Sequence, residues 1–346
     1  MGLFDRLGMD IAIDLGTANT VVYVRGRGIV LREPTIIAIR NETKEIIAMG
    51  IEAKRMAGRV PDTIQIIRPL KDGVIANFEV TEKLLEYLIT KVGGKRGFYN
   101  VVKPRVVVGI PSGITEVEMR AVIEAALHAG AREARLVYEP MAAALGADLP
   151  IEQPTGNMIV DVGGGTCEVA VISFGGVVSK NSIRVAGDEM NEAILQYLKR
   201  QYNLLISPYA AEEIKMEIGC AFPTEEIRTI EVKGRDLING LPRTATISSE
   251  ETRVALNDVL ISILDLIKAT LEITPPDLAA DIIDRGIFIA GGGALLRGID
   301  KYIMEGTGIV VNTAENPVLC VALGAGKIVE NLNKFWPFLL QVKYNF

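Results

Sequence analysis

Residues 14–20 read D-L-G-T-A-N-T, and residues 161–166 read D-V-G-G-G-T. Each stretch follows a short apolar run typical of a strand, places an aspartate at the end of that strand, and continues through a glycine-containing turn into a second β-rich run. A single unit of this kind is an ordinary glycine hairpin. Two matched copies, one in each half of the chain, predict a duplicated domain.

The rest of the chain alternates short apolar β runs with helical patterns, which is typical of an α/β fold. Its 346 residues exceed the usual size of a single domain and suit two lobes. We predict the boundary between them at about residues 150–156. The economical interpretation is a pair of related α/β lobes with a nucleotide in the crevice between them.

Local signals also predict several helix boundaries. Thr115 and Glu118 form a capping-box pattern at the start of a helix that should end near Gly130. A last helix is predicted to start at residues 316–317, where a proline would occupy the first helical position.

The two aspartate-led turns suit phosphate binding, because successive backbone N–H groups in such a turn form a concave anion site. Glycine lets the backbone approach a phosphate oxygen without an intervening Cβ atom. Asp14 and Asp161 each begin one turn, and two carboxylates facing a triphosphate attract Mg²⁺. The candidate phosphate-binding residues are Gly16, Thr17, Ala18, Asn19, Gly163, Gly164, Gly165 and Thr166.

A third glycine-rich turn, A-G-G-G-A-L-L at residues 290–296, follows a predicted strand and should open a helix. That context brings the backbone close to a flat ligand or a phosphate, although the turn alone is a weak signal. The chain has no GxxxxGK[ST] motif, which excludes the P-loop class of NTPases. The candidate residues in this turn are Gly291, Gly292, Gly293 and Ala294.

Composition excludes several other classes. His128 is the only histidine and the three cysteines lack CxxC spacing, so a histidine-based triad, a zinc site and a disulfide framework are not expected. The net charge of −6 argues against nucleic acid as a partner. The sequence contains no apolar run long enough to span a membrane and no secretory signal, and Arg6 departs from the myristoylation pattern. A reducing cytoplasm is the expected compartment.

Taken together, the motifs resemble the MreB family of bacterial actins, within the superfamily of actin, sugar kinases and heat-shock chaperones. The three turns look like the two phosphate motifs and the adenosine motif of that superfamily. The stretches I-P-S-G at 110–113, E-P-M-A-A-A-L-G at 139–146 and R-V-A-G-D-E-M at 184–190 add to the resemblance. It covers about residues 10–329.

The resemblance implies an actin-like ATPase fold, with two duplicated lobes, four subdomains and the nucleotide in the cleft between the lobes. It implies ATP or ADP with Mg²⁺ as ligands, and weak ATP hydrolysis coupled to polymerisation. The predicted subdomains are IA at 1–35, 69–150 and part of 317–346, IB at 36–68, IIA at 151–181 and 247–316, and IIB at 182–246.

The resemblance also implies roles for individual residues. Glu139 matches the family's water-activating glutamate, and Thr166 matches the threonine that polarises the attacking water. By position alone, Glu139 fits equally well a carboxylate stabilised by the dipole of a helix that starts beside Pro140. Cys167 departs from the threonine often found there, but it lies beside the catalytic position and not on it.

Two further pairs of residues are carried over in the same way. Asp14 and Asp161 match the aspartates on the metal side of the site. Glu212 and Lys215, in the stretch A-E-E-I-K, match positions that contact the ribose and the base.

The family resemblance implies paired protofilaments on the inner face of the cytoplasmic membrane, where they organise wall synthesis and rod shape with cell-wall elongation proteins. Leu3, Phe4 and Leu7 form an apolar stripe that suits either a membrane surface or a tail packed on its own lobe. Phe98 and Tyr99 lie in a basic loop that suits an anionic lipid surface. A filament multiplies such weak contacts.

Residues 335–340, F-W-P-F-L-L, contain the only tryptophan and an aromatic cluster that usually marks a contact site. A membrane anchor, a tail docked on a lobe and a protein interface all remain open for this segment.

Two alternative functions share the same predicted core. A small-molecule kinase needs an acceptor pocket with its own base, and a chaperone-type ATPase needs a substrate-binding domain after the ATPase core. The length of the chain favours a filament over both.

Overall fold

The structure, a computed structural model, describes residues 10–93 and 103–340. The elements of the first half are β1 (Ile11–Leu15), β2 (Asn19–Val24), β3 (Gly28–Pro34), β4 (Ile37–Arg40), β5 (Ile46–Met49), α1 (Ile51–Met56), β6 (Ile64–Ile67), β7 (Leu70–Lys71), β8 (Val74–Ile75), α2 (Phe78–Gly93), β9 (Arg105–Ile110), α3 (Glu116–His128), β10 (Glu133–Tyr138) and α4 (Glu139–Gly146).

The second half continues the series. Its elements are β11 (Asn157–Val162), β12 (Cys167–Ser173), β13 (Gly176–Ile183), α5 (Gly187–Tyr202), β14 (Leu204–Leu205), α6 (Pro208–Ile218), β15 (Thr229–Asp236), β16 (Pro242–Ser248), α7 (Ser249–Glu272), α8 (Pro276–Arg285), β17 (Ile287–Ala290), α9 (Ile299–Thr307), β18 (Val311–Thr313), α10 (Cys320–Glu330) and α11 (Leu332–Phe335).

Two five-stranded sheets have the same topology. The first has the order β3-β2-β1-β9-β10 and the second the order β13-β12-β11-β17-β18. In both, the first three strands pair antiparallel and the last three pair parallel. This strand-for-strand match confirms the predicted actin-like fold with two duplicated α/β lobes.

Two three-stranded sheets accompany the large ones, β5-β4-β6 in the first half and β14-β15-β16 in the second. They fall mainly within the stretches predicted as the small subdomains, 36–68 and 182–246. The bounds of the four subdomains remain a prediction.

Each lobe has its own apolar core, and a third core lies between the two large sheets. This third core contains α4 and α10, packed against Ala12 and Val107 of one sheet and Ile159 and Ile172 of the other. The two helices approach so closely that a Cβ atom on Gly324 would lie 1.8 Å from the carbonyl oxygen of Ala142. Glu139 begins α4, so the packing of this pair determines where that carboxylate lies.

The structure confirms one predicted helix start and corrects another. The capping box of Thr115 and Glu118 is present at the start of α3, and Ser248 with Glu251 forms another at the start of α7. The predicted last helix is corrected in two ways. Residues 317–319 form a 3₁₀ turn before α10 begins at Cys320, and the short helix α11 follows it.

The aromatic C-terminal segment docks on the body of the protein. Phe335 and Leu339 are buried, and the backbone N–H of Leu340 donates to the carbonyl oxygen of Leu136 in β10 at 2.9 Å. The ring of Phe338 packs against Gly175 of the second lobe, where a Cβ would lie 2.7 Å from it. Of the three interpretations left open, these contacts favour the docked tail. Within residues 10–93 and 103–340, no helix is long and apolar enough to cross a membrane.

Candidate nucleotide-binding site

A cavity of about 450 Å³ lies between the two lobes. The hairpin turn after β1 lines it from one lobe and the turn after β11 from the other. The third glycine-rich turn and the helices α5 and α6 complete its wall. The sequence-predicted residues that line this cavity are Asp14, Gly16, Thr17, Ala18, Asn19, Glu139, Asp161, Gly163, Gly164, Thr166, Glu212, Lys215, Gly291, Gly292 and Gly293.

The two phosphate-type turns meet across the cleft. A Cβ atom on Gly164 would lie 2.8 Å from the Cβ of Ala18 and 3.1 Å from its backbone nitrogen. The hydroxyl of Thr17 accepts a hydrogen bond from the backbone N–H of Gly73 at 3.1 Å, which holds the first turn to the neighbouring β7–β8 loop. Glycine at position 164 is therefore required for the turns to approach as closely as they do.

The third turn needs glycine for backbone reasons. Gly291 has a φ of 80°, and a Cβ there would lie 2.3 Å from the carbonyl oxygen of Val162. A Cβ on Gly293 would lie 2.3 Å from Cγ1 of Val162. Instead of opening a regular α-helix as predicted, the turn continues into a 3₁₀ helix at Gly292–Leu295, and α9 begins later.

Two predicted residues lie outside the cavity wall. A Cβ on Gly165 would lie 2.9 Å from the hydroxyl oxygen of Thr17 and 3.0 Å from the backbone of Asp72, so this glycine serves the contact between the lobes. Ala294 is buried in the core of the second lobe. Their roles as ligand-binding residues are still predictions.

A cluster of carboxyl groups lies at the base of the cavity. Burial, reinforced by the charge of Asp161, raises the pKa of Asp14 to about 8. Burial alone raises the pKa of Asp161 to about 6. Burial raises the pKa of Glu139 well above its ordinary value, and the charges of Glu168, Asp14 and Asp161 add to the rise.

The residues present fit Mg²⁺. Asp14 and Asp161 face one another closely enough for the charge of one to raise the pKa of the other, so a cation between them removes an unfavourable repulsion. Mg²⁺ typically uses one or two carboxylates together with substrate phosphates and water, without a complete protein cage. The described residues contain no group of three or more His, Cys, Asp or Glu side chains that could hold a metal ion.

The other end of the cavity carries Glu212 and Lys215 on α6. The ammonium group of Lys215 donates to the carbonyl oxygen of Gly187 at 2.7 Å, and burial lowers its pKa. Glu212 forms an ion pair with Lys54 of the opposite lobe at 3.1 Å. Glu212 therefore both lines the cavity and takes part in a contact between the lobes.

Several lining residues were not assigned from the sequence. Gly187 and Asp188 lie in the R-V-A-G-D-E-M stretch, and Arg297 lies just after the third turn, so the motifs held a signal for these three. Asn191 directly follows the same R-V-A-G-D-E-M stretch, whereas Arg32 has no motif near it in the sequence.

The comparison with known proteins agrees with this geometry. The family model described as MreB/Mbl protein matches residues 8–336. The chain belongs to the MreB/Mbl family. The resemblance predicted from the motifs is thereby confirmed.

Relatives in the family are similar over nearly their whole length. The chain is 51% identical over 336 residues to the cell shape-determining protein MreB of Escherichia coli (strain K12), which covers 96% of this chain and 95% of that protein. It is 48% identical over 325 residues to the cell shape-determining protein Mbl of Bacillus subtilis (strain 168), with coverage of 94% and 97%.

Solved structures of a further MreB/Mbl relative share the fold. Crystal structures of MreB5 of Spiroplasma citri, one bound to AMPPNP and one to ADP, match with a TM-score of 0.90 and 38% sequence identity. In both cases the match covers 95% of this chain and 98% of the other. The residues predicted to anchor the chain to a membrane, Leu3, Phe4, Leu7, Phe98 and Tyr99, lie outside the described residues.

Proposed function

We propose that this chain binds ATP and ADP with Mg²⁺ in the cleft, hydrolyses ATP slowly, and forms filaments whose assembly follows the state of the nucleotide. The observation that carries the proposal is the meeting of two duplicated aspartate-led turns across one cavity. The nucleotide-bound structures of the Spiroplasma citri relative support the choice of ligand.

The proposed chemistry needs positioning and charge neutralisation more than covalent catalysis. The backbone N–H groups of the two turns would hold the phosphates, and Asp14 and Asp161 would hold Mg²⁺, which would supply positive charge to the phosphoryl group. Glu139 accepts the proton of the attacking water, and Thr166 orients that water. Burial raises the pKa of Glu139, which makes its carboxylate a stronger base once it is ionised.

Filament formation and a role in cell shape follow from family membership and from similarity to shape-determining relatives over 96% of this chain. Exposed apolar side chains at the β15–β16 turn, Ile238 and Leu241, provide surface for contacts between subunits. A small-molecule kinase and a chaperone-type ATPase are not favoured by these full-length similarities.

A paired measurement of polymer and phosphate tests the proposal. The protein should sediment with ATP and Mg²⁺ and release phosphate slowly. Glu139→Ala should keep ATP bound but slow phosphate release by about 100-fold or more, since a general base typically contributes that much. Glu133→Ala, which removes a surface carboxylate paired with Arg135, should behave as wild type.

Monomers alone over a wide range of salt and lipid would contradict the filament proposal. An unchanged rate of hydrolysis in Glu139→Ala would remove this residue from the catalytic role.

We further propose a peripheral position on the inner face of the cytoplasmic membrane, with cell-wall elongation proteins as partners. Deletion of residues 2–7 combined with Phe98→Ala and Tyr99→Ala should abolish co-sedimentation with anionic liposomes. Undiminished binding would contradict these anchors and direct attention to Trp336, which is partly exposed and stacks on Arg135 with the guanidinium 4.8 Å from the ring centre.

A further inference from the structure

Glu168 is a buried carboxyl group with an unusual set of partners. It is 1% exposed, and its position in β12 lies directly opposite Asp161 in β11 and Ser182 in β13. One of its oxygens, Oε1, accepts hydrogen bonds from the backbone N–H of Ser112 at 2.7 Å and from the Ser112 hydroxyl at 3.0 Å. A buried carboxyl group needs such partners to offset its loss of water.

These hydrogen bonds join the two lobes. Ser112 lies in the loop after β9 of the first sheet, whereas Glu168 lies within the second sheet. The loop sits tightly on that sheet, because a Cβ on the next residue, Gly113, would lie 2.5 Å from the hydroxyl oxygen of Ser182. The contact is therefore a junction at the base of the cleft, below the proposed phosphate site.

The contacts around Ser112 also extend to Tyr138, the residue before Glu139. Lys180 of β13 donates to the carbonyl oxygen of Ser112 at 3.3 Å and lies 4.0 Å from the centre of the Tyr138 ring. Tyr138 immediately precedes Glu139 in the chain. On the other side, Glu168 is the second residue of β12, and Thr166 is the last residue of the turn that precedes this strand, so the junction connects the segments that carry both proposed catalytic residues.

The second oxygen of Glu168, Oε2, is buried and has no hydrogen-bond partner among the described residues. Leaving a buried polar atom without a partner destabilises the folded state. A residue kept only for packing would be more stable as an apolar side chain of similar size. Glu168 therefore has a role that the stability of the fold does not account for.

We propose that Glu168 is a positioning residue for ATP hydrolysis: its hydrogen bonds to Ser112 lock the two lobes at the angle that aligns Glu139 and Thr166 with the attacking water. The inference rests on the proposed function. Glu168 acts through the lobe contact and through Glu139, and it does not contact the reacting atoms.

The test compares nucleotide affinity with the rate of hydrolysis in full-length variants. Glu168→Ala should lower kcat about tenfold while KM and the Kd for ATP with Mg²⁺ change by less than about threefold. Glu168→Gln keeps an oxygen that accepts from Ser112, so its kcat should stay within about threefold of wild type. Ser112→Ala, which removes one of the two hydrogen bonds and is tolerated in a half-buried loop, should lower kcat by an intermediate factor.

A matched control removes a carboxylate with a similar local contact but no part in the junction. Asp281 accepts a hydrogen bond from the backbone N–H of Gly156 at 2.7 Å within the second lobe, and Asp281→Ala should leave kcat unchanged. Should Glu168→Ala fail to fold, Ser112→Ala reports on the same contact.

Three results would overturn the inference while leaving ATP hydrolysis by the wild-type chain intact. The first is a wild-type kcat in both Glu168→Ala and Ser112→Ala. The second is a Glu168→Gln variant that is as slow as Glu168→Ala. The third is a loss of ATP affinity in Glu168→Ala that is as large as its loss of kcat. A wild-type chain that binds ATP but does not hydrolyse it would overturn the proposed hydrolysis and this inference together.

Discussion

Asp14, Glu139, Asp161 and Glu168 form one cluster of carboxyl groups where the lobes meet, and burial raises the pKa of each. For Glu168, the hydrogen bonds from Ser112 oppose this rise, yet its pKa still reaches about 8. A cluster of this kind is unfavourable in the empty protein once it is ionised. Binding of a cation between these carboxylates should therefore stabilise the fold by reducing that repulsion.

The pH dependence of stability tests whether the folded protein keeps Asp14 protonated. Since the folded state holds the Asp14 proton up to a pKa of about 8, against 3.8 for the ordinary group, its contribution to stability is complete below pH 3.8 and is lost as the pH rises through 8. Without nucleotide and Mg²⁺, the melting temperature of wild type should fall relative to Asp14→Asn by at least about 2 °C between pH 6 and 8.5.

Asp148→Asn provides the control, because the Asp148 side chain is 87% exposed and forms a surface ion pair with Lys327. Its melting curve should follow wild type across the same range. Parallel curves for wild type and Asp14→Asn would show that Asp14 is not held protonated by the fold.

At the scale of elements, the pair of helices α4 and α10 decides where Glu139 lies. The pair packs between the two large sheets, and two glycines permit the contact. A Cβ on Gly146 would lie 1.9 Å from the carbonyl oxygen of Cys320, and one on Gly324 would lie 1.8 Å from that of Ala142. Neither obstacle is the flexible end of a side chain, so the helices themselves must move apart.

Gly324→Ala should therefore destabilise the protein by about 1–3 kcal/mol, the usual cost of overpacking, despite the better helix propensity of alanine. Urea unfolding monitored by circular dichroism measures the change. Gly176→Ala is the matched control, because a Cβ there would meet only the carbonyl oxygen of Ser173 at 3.7 Å. Equal stability of both variants would refute a tight contact between the helices.

Over the whole molecule, two ion pairs close the mouth of the cleft. Lys54 meets Glu212 at 3.1 Å, and Arg68 meets Asp188 at 2.8 Å, in each case with one partner from each half of the chain. All four side chains are partly exposed, so each pair contributes at most about 1 kcal/mol, and salt screens it.

Lys54→Ala combined with Arg68→Ala should speed nucleotide release about two- to tenfold at low salt, and the difference from wild type should shrink as salt is added. Stopped-flow release of a fluorescent ATP analogue measures this rate. Lys83→Ala removes an ion pair with Glu86 within a single helix and should have no effect. A double variant that releases nucleotide at the wild-type rate would mean that the pairs do not restrain the lobes.

The sequence predicts those features that depend on neighbouring residues. The two aspartate-led turns, the capping box of Thr115 and the buried strands depend on local chemistry, and all are found in the structure. Their repetition also predicts that the two turns face one cavity. The features that the sequence misses depend on contacts between distant segments. Arg32 lines the cavity, and Glu168 contacts Ser112, only once those segments have packed together.

The same dependence on distant contacts explains why the sequence groups Gly165 and Ala294 with the residues that line the cavity. Within their turns they are indistinguishable from neighbours that line the cavity, yet one packs against Thr17 and the other lies in a core. The C-terminal aromatic segment is a third case, since its docking on β10 depends on a strand formed some two hundred residues earlier.

The contact between Gly164 and Ala18 couples the residues that fit at one position of each lobe. A methyl group added at Gly164 would lie 2.8 Å from the methyl group of Ala18, so a side chain at one of these positions restricts the side chain at the other. Residues 18 and 164 are therefore not expected to change independently of one another. Gly164→Ala should be harmful alone and better tolerated beside Ala18→Gly, a pattern of paired change that alignments of the family can reveal.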